Sequence, residues 1–201
     1  MDLSMYGHAQ DEVWKQIAAD IGGGFEGAGL FTAGALRYKS GDFEITLKGY
    51  GDRSVKDFGA SAYTCMRAPF LNKDRLYFKI YRKGIFSGLA KRLGTQDLTI
   101  GDDVFDANYM IQSNNEERVR QLLADPKLRE LLEGEPKIWV EVKPDDGWFG
   151  QSLPEGTDEL YFQCKGVLVD KVLIKDLFDT FMMILQKLAQ MDSGYTSGSN
   201  T

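Results

Sequence analysis

Residues 171–191 constrain this chain more than any other stretch. Ile174, Leu177, Phe178, Phe181, Leu185 and Leu188 recur at i, i+3 and i+4, while Val172, Leu173, Met182 and Ile184 widen the stripe. A globular helix usually spends an arc of about 100° or a little more on its apolar face. A wider arc must lie across a sheet or enter a seam with a second helix. Met182 and Met183 stand side by side in it, and methionine adapts to irregular contacts. The surplus arc predicts one of two neighbours. One is the helix expected at 11–21; the other is a second copy of this helix in the seam of a two-fold homodimer.

The sheet for such a helix is legible upstream as alternation. Residues 36–50 read as a hairpin turning at Ser40-Gly41, with Phe43, Ile45 and Leu47 on one side and Glu44, Thr46 and Lys48 on the other. Residues 61–70 form a further strand, in which Pro69 marks an end or an edge. In 75–83, Leu76, Phe78 and Ile80 oppose Arg75, Tyr77, Lys79, Tyr81 and Lys83. Ile138, Val140 and Val142 alternate with Trp139 and Glu141, and Leu160, Phe162 and Cys164 with Tyr161 and Gln163. That last strand continues through 166–169. Clean alternation joined by short turns argues for antiparallel pairing. The predicted class is α+β: a curved antiparallel sheet of about seven strands, with helices packed on one face, among them an N-terminal and a long C-terminal helix.

Between these runs lie the signals for the remaining elements. Residues 11–21 place Val13, Trp14, Ile17, Ala18 and Ile21 on one helical face, and Gly22-Gly23-Gly24 ends it. Gly22, Gly24 and Gly27 match GxGxxG. A dinucleotide loop must follow a strand and open a helix, however, and these glycines follow a helix, so they read as a stop and a loop. In 104–134, Phe105, Ala107, Tyr109 and Ile111 predict a strand, and Asn114 with Glu117 a capping box. Val119, Leu122 and Leu123 then give a helix its stripe. Asp125-Pro126 restarts it with Leu128, Leu131 and Leu132, and Gly134 closes it. Residues 84–94 read as a short amphipathic helix or a loop, with Lys91 and Arg92 opposite Ile85, Phe86, Leu89 and Leu93. One domain is expected over 1–192, followed by a disordered tail at 193–201.

Charge and residue usage narrow the chemistry. A net charge of −6 disfavours wholesale attraction to nucleic acid or an anionic membrane. The first dozen residues lack a basic n-region and an apolar h-region, and no apolar run approaches the roughly 18 residues that span a bilayer. A cytoplasmic protein is expected, with Cys65 and Cys164 as buried reduced thiols. The single histidine, His8, lies outside the patterned elements, so a Ser-His-Asp or Cys-His arrangement and a His-rich metal site are all disfavoured. No cofactor is expected. The densest acids are Asp97, Asp102, Asp103 and Asp106, which carry the alternative of a metal-dependent enzyme using converging carboxylates. Gly101-Asp102-Asp103 and Asp145-Asp146-Gly147 are also ordinary turn compositions.

The sharper candidate is a strand face. Arg75, Tyr77, Lys79, Tyr81 and Lys83, joined by the outward Trp139 and Tyr161, interleave aromatics with cations. Such faces stack flat groups on rings while the cations meet phosphates or other anions. A sheet-face binder of nucleic acid or another anionic ligand is therefore a second alternative.

Four segments, YTCMRAPF (63–70), FKIYRKG (78–84), the run 93–123 and GWFGQSLPEGTDELYF (147–162), together resemble a family of hypothetical bacterial proteins with no assigned function. The resemblance implies a bacterial, intracellular protein and transfers no site residue. The leading expectation is a soluble, non-enzymatic binding or assembly module of the bacterial cytoplasm, its partner a protein or a small molecule.

Overall fold

The alternating runs become strands β1 (Gly24–Glu26), β2 (Ala35–Ser40), β3 (Phe43–Gly51), β4 (Ala62–Leu71), β5 (Phe78–Arg82), β6 (Tyr109–Ser113), β7 (Trp139–Pro144) and β8 (Thr157–Lys165). They form one eight-stranded sheet in the order β1-β2-β3-β4-β8-β7-β5-β6, and every pairing is antiparallel. This is a computed structural model, and it describes residues 4–27, 34–51, 62–84, 98–134, 138–144 and 154–196. The readings placed on 85–94, Asp97, 145–147 and 197–201 lie outside the described residues. The strand beyond the expected seven is β1, which pairs with β2 at Phe25↔Leu36.

Register puts one apolar row across the whole sheet. Ile111, Ile80, Val140, Phe162, Met66, Leu47 and Leu36 are consecutive partners from β6 to β2, and all seven are fully buried. The helices cover this face. They are α1 (Ser4–Ile21), α2 (Asp103–Asn108), α3 (Glu116–Leu123), α4 (Pro126–Gly134) and α5 (Lys171–Thr196). Trp14 and Ile17 of α1, Val119 and Leu122 of α3, Leu128 and Leu132 of α4, and Ile174 to Leu188 of α5 join the apolar row in one core. Most of the arc of α5 packs inside the chain, where α5 lies against α1, α3, α4 and β3, while Val172 stays exposed and Leu173, Met182 and Met183 are half-buried.

Local chemistry accounts for the element ends. Gly41 turns the β2–β3 hairpin at φ +60° beside Asp42, as a two-residue turn with glycine first requires. Gly22, at φ +73°, ends α1, and the Gly23 amide donates back to the Ala18 carbonyl at 2.7 Å. Asp170 opens α5 by accepting from the Val172 and Leu173 amides at 2.9 and 3.1 Å.

Several expectations change. Residues 103–108 are helical, because Asp102 caps them, accepting from the Val104 and Phe105 amides. The spacing of Phe105 and Tyr109 reflects one helical turn, and their rings stack 4.4 Å apart. The cap of α3 is Asn115, which accepts from Arg118, whereas Asn114 holds the Tyr77 amide and the Arg75 carbonyl. β8 stops at Lys165 because Gly166 turns away at φ +98°. Its carbonyl accepts from Thr64 Oγ1, which in turn accepts from the Leu168 amide. α1 begins at Ser4, before the expected residue 11, and α5 continues through 193–196, where a tail was expected.

Pro69 lies in an interior strand, yet it behaves as at an edge. The β3–β4 ladder begins at Thr46↔Arg67, so Ala68, Pro69 and Phe70 pair with β8 alone. A residue without an N–H is tolerated where one neighbour is missing.

Candidate functional site

The same register that buries the apolar row turns every second residue to the opposite face. There, consecutive partners read Gln112, Lys79, Glu141, Tyr161, Arg67, Thr46 and Arg37 from β6 to β2. Tyr81 and Trp139 are partners in the row on one side of this one, and Lys143 and Glu159 in the row on the other side. Much of this face is buried: Gln112, Tyr81, Tyr161, Cys65 and Glu159 are shielded from solvent, while Lys79, Trp139 and Arg67 are half-buried.

Aromatic and charged side chains interlock across it. Tyr81 stacks on Trp139 with centroids 5.0 Å apart and planes 19° from parallel. Lys79 Nζ lies 2.8 Å from Glu141 Oε2 and 5.4 Å from the Trp139 ring. Lys143 Nζ sits 4.2 Å over the Tyr161 ring, whose hydroxyl donates to Gln163 Oε1 at 2.7 Å. Glu159 is buried, and the Arg67 guanidinium grips both its carboxylate oxygens. That bidentate match gives both oxygens of a buried carboxylate a charge-assisted partner. Nearer the β1 edge, Arg37 bridges Glu26 and Glu44 at 3.3 Å each.

Four of the seven residues selected from sequence meet on this face: Lys79, Tyr81, Trp139 and Tyr161. The other three do not join them. Arg75 is left-handed at φ +49°, so strict alternation begins only after it. Tyr77 packs against the helix-side core and hydrogen-bonds the buried Asp158. Its hydroxyl is held above the ordinary value by burial and then by that carboxylate. Lys83 lies past the end of β5, donating to the Asp106 carbonyl at 2.7 Å. Sequence reasoning missed Arg67, Glu159, Glu141 and Lys143 as members of the face. For the last two the signal was present, since they alternate in phase with Trp139. For Arg67 and Glu159 it was not, because their pairing needs the register of strands 92 residues apart.

The face offers recognition chemistry: flat rings, oriented cations and amide acceptors. Cys65 belongs to it but is no nucleophile, because burial pushes its thiol up to about 11. It is partnered with Gln163, and Cys164 with Thr64, so the two buried thiols point to opposite faces. Asp102 and Asp106 are engaged structurally, while Asp103 is exposed. Asp102 caps α2 and meets Arg129 at 3.2 Å, and Asp106 accepts from the Ile100 and Gly101 amides at 2.9 Å each. Among the described residues, no three His, Cys, Asp or Glu side chains converge as a metal site would require. His8 lies in α1. No described helix is long and apolar enough to cross a membrane. No family model matches this chain, and neither a curated protein nor a solved structure matches it.

Proposed function

We propose that this protein is a soluble, non-enzymatic binding or assembly module of the bacterial cytoplasm, and that it binds through the sheet face opposite its helices. The observation that carries the reading is the convergence of Lys79, Tyr81, Trp139 and Tyr161 from three neighbouring strands onto one face. Trp139 is half-buried and keeps surface for a partner, with the buried Tyr81 stacked on it and the buried Tyr161 nearby. Trp supplies large rigid contact area with a polar handle, which is why it is enriched at interfaces. Strands hold these groups more firmly than loops would, and the Lys79–Glu141 and Arg67–Glu159 pairs fix the cations in place. The bacterial setting rests on the four segments that resemble a family of hypothetical bacterial proteins. The partner is a protein or small molecule carrying an anionic group that competes with Glu141 for Lys79. Nucleic acid fits less well, given the net charge of −6.

The test follows the Trp139 indole resonance during titration with three polyanion probes: a glutamate-rich peptide, a heparin-derived hexasaccharide and a single-stranded oligonucleotide. The glutamate peptide is expected to shift Trp139, with affinity reduced tenfold or more by the double substitution Lys79→Glu, Lys143→Glu. An indole unmoved by all three probes would overturn the assignment of this face to anionic partners.

A further inference from the structure

On the helix side, a cleft of about 390 Å³ opens where the end of α1, the end of β2 and one stripe of α5 meet. Its lining separates into an apolar floor and a charged rim. Ile21, Tyr38, Phe178 and Met182 make the floor, with the Tyr38 and Phe178 rings edge to face at 6.0 Å. The rim carries Asp20, Lys175 and Asp179. Lys175 is the single cation among the lining residues, and it is already engaged, its Nζ 2.7 Å from Asp20 Oδ2. Asp179 is exposed one residue after the buried Phe178, and among the described residues it has neither an ion pair nor a hydrogen bond. Among the lining residues negative charge is in surplus by one beside aromatic and thioether groups, and Lys171, one turn before Lys175, acts on Asp20 rather than lining the cleft. Small-molecule sites of this volume pair an apolar floor with a few placed polar groups. Aromatic rings attract organic cations through their quadrupole, and a neighbouring carboxylate adds to that attraction.

We propose that this cleft binds an organic cation on an alkyl stem, an ammonium or guanidinium whose charge meets Asp179 while the stem lies over Tyr38, Phe178 and Met182. The opposite sign is disfavoured, since an anion would face two carboxylates against one lysine. The site is independent of the sheet face, lying on the other side of the sheet. Two sources carry this chemistry, a free diamine and a lysine or arginine side chain of a partner protein.

The experiment is an amide-resolved NMR titration of the full chain with 1,5-diaminopentane, a short Gly-Lys-Gly peptide blocked at both ends, and pentanol as the neutral control. Saturable shifts at Tyr38, Phe178 and Met182 are expected with the diamine or the peptide, and the tighter of the two identifies the source. Asp179→Asn keeps size and exposure, and is expected to weaken binding about tenfold while leaving the other amide resonances in place. The proposal is overturned if neither cation shifts these residues at millimolar concentration. Pentanol binding as well as the diamine, or unchanged affinity in Asp179→Asn, overturns it equally.

Discussion

Cys65 sits in β4 with none of its surface exposed, and removal from water raises its thiol from an ordinary 9.0 to about 11. Arg67 and Lys48 pull it down without offsetting that burial. The folded chain therefore keeps a proton that the unfolded chain releases above about pH 9. The stability this contributes is whole below that pH and is lost as pH rises toward 11. Between pH 8 and 11 the natural protein is expected to lose about 2–3 kcal/mol more than Cys65→Ala, measured by denaturant unfolding. Parallel pH profiles for the two would show that the thiol is not desolvated. Residue identity makes Cys65 readable as an inert thiol, but identity does not decide between neighbours. Asn114 and Asn115 are chemically equal as caps, and only the hydrogen bonds of Asn114, which accepts from the Tyr77 amide and donates to the Arg75 carbonyl, assign the cap to Asn115.

Among elements, α5 does most to hold the layers together. Its stripe buries Ile174, Leu177, Phe178, Phe181, Ile184, Leu185 and Leu188, and Phe181, at the centre, is wholly buried. Phe181→Ala is expected to cost about 3–5 kcal/mol, because the neighbours collapse only partly into the space left behind. Unchanged chemical denaturation of that variant would place the helix elsewhere. The stripe was legible because its period is a helix's own. The stretch at 105–111 misled for the same reason, since Phe105 and Tyr109 serve equally as i, i+4 of a helix or as alternate strand positions. The Asp102 cap, with Asp106 anchoring the Ile100 and Gly101 amides, settles that stretch as helix followed by strand.

In the whole molecule, β4 and β8 form the middle of the sheet and join residues about a hundred positions apart, from Tyr63↔Lys165 to Leu71↔Thr157. Such pairing bears the closure entropy of a long loop before any contact offsets it. It also decides which charges meet, as in the grip of Arg67 on Glu159. The apolar arc of α5 suited either a homodimer seam or an internal neighbour, and α1 and α4 occupy its flanks. Met182 and Met183 are half-buried within the chain. Sedimentation equilibrium at tens of micromolar is therefore expected to give a monomer, unchanged by Met183→Glu. A two-fold dimer dissociated by that substitution would restore the helix seam.

The amino-acid sequence by itself determined the class of this protein, the inward residues of most strands and the stripes of α1, α3, α4 and α5. These follow from periods of 2 and 3.6, which are properties of the local backbone. It also marked Lys79, Tyr81, Trp139 and Tyr161 as one kind of surface. Tertiary structure alone decided that they lie together, that Arg75, Tyr77 and Lys83 do not, and that Arg67 and Glu159 complete the face. It alone brought Asp20, Tyr38 and Asp179 around one cleft. The reason is physical: alternation says which way a side chain points, whereas strand order and register, set by packing between distant segments, say what it points beside.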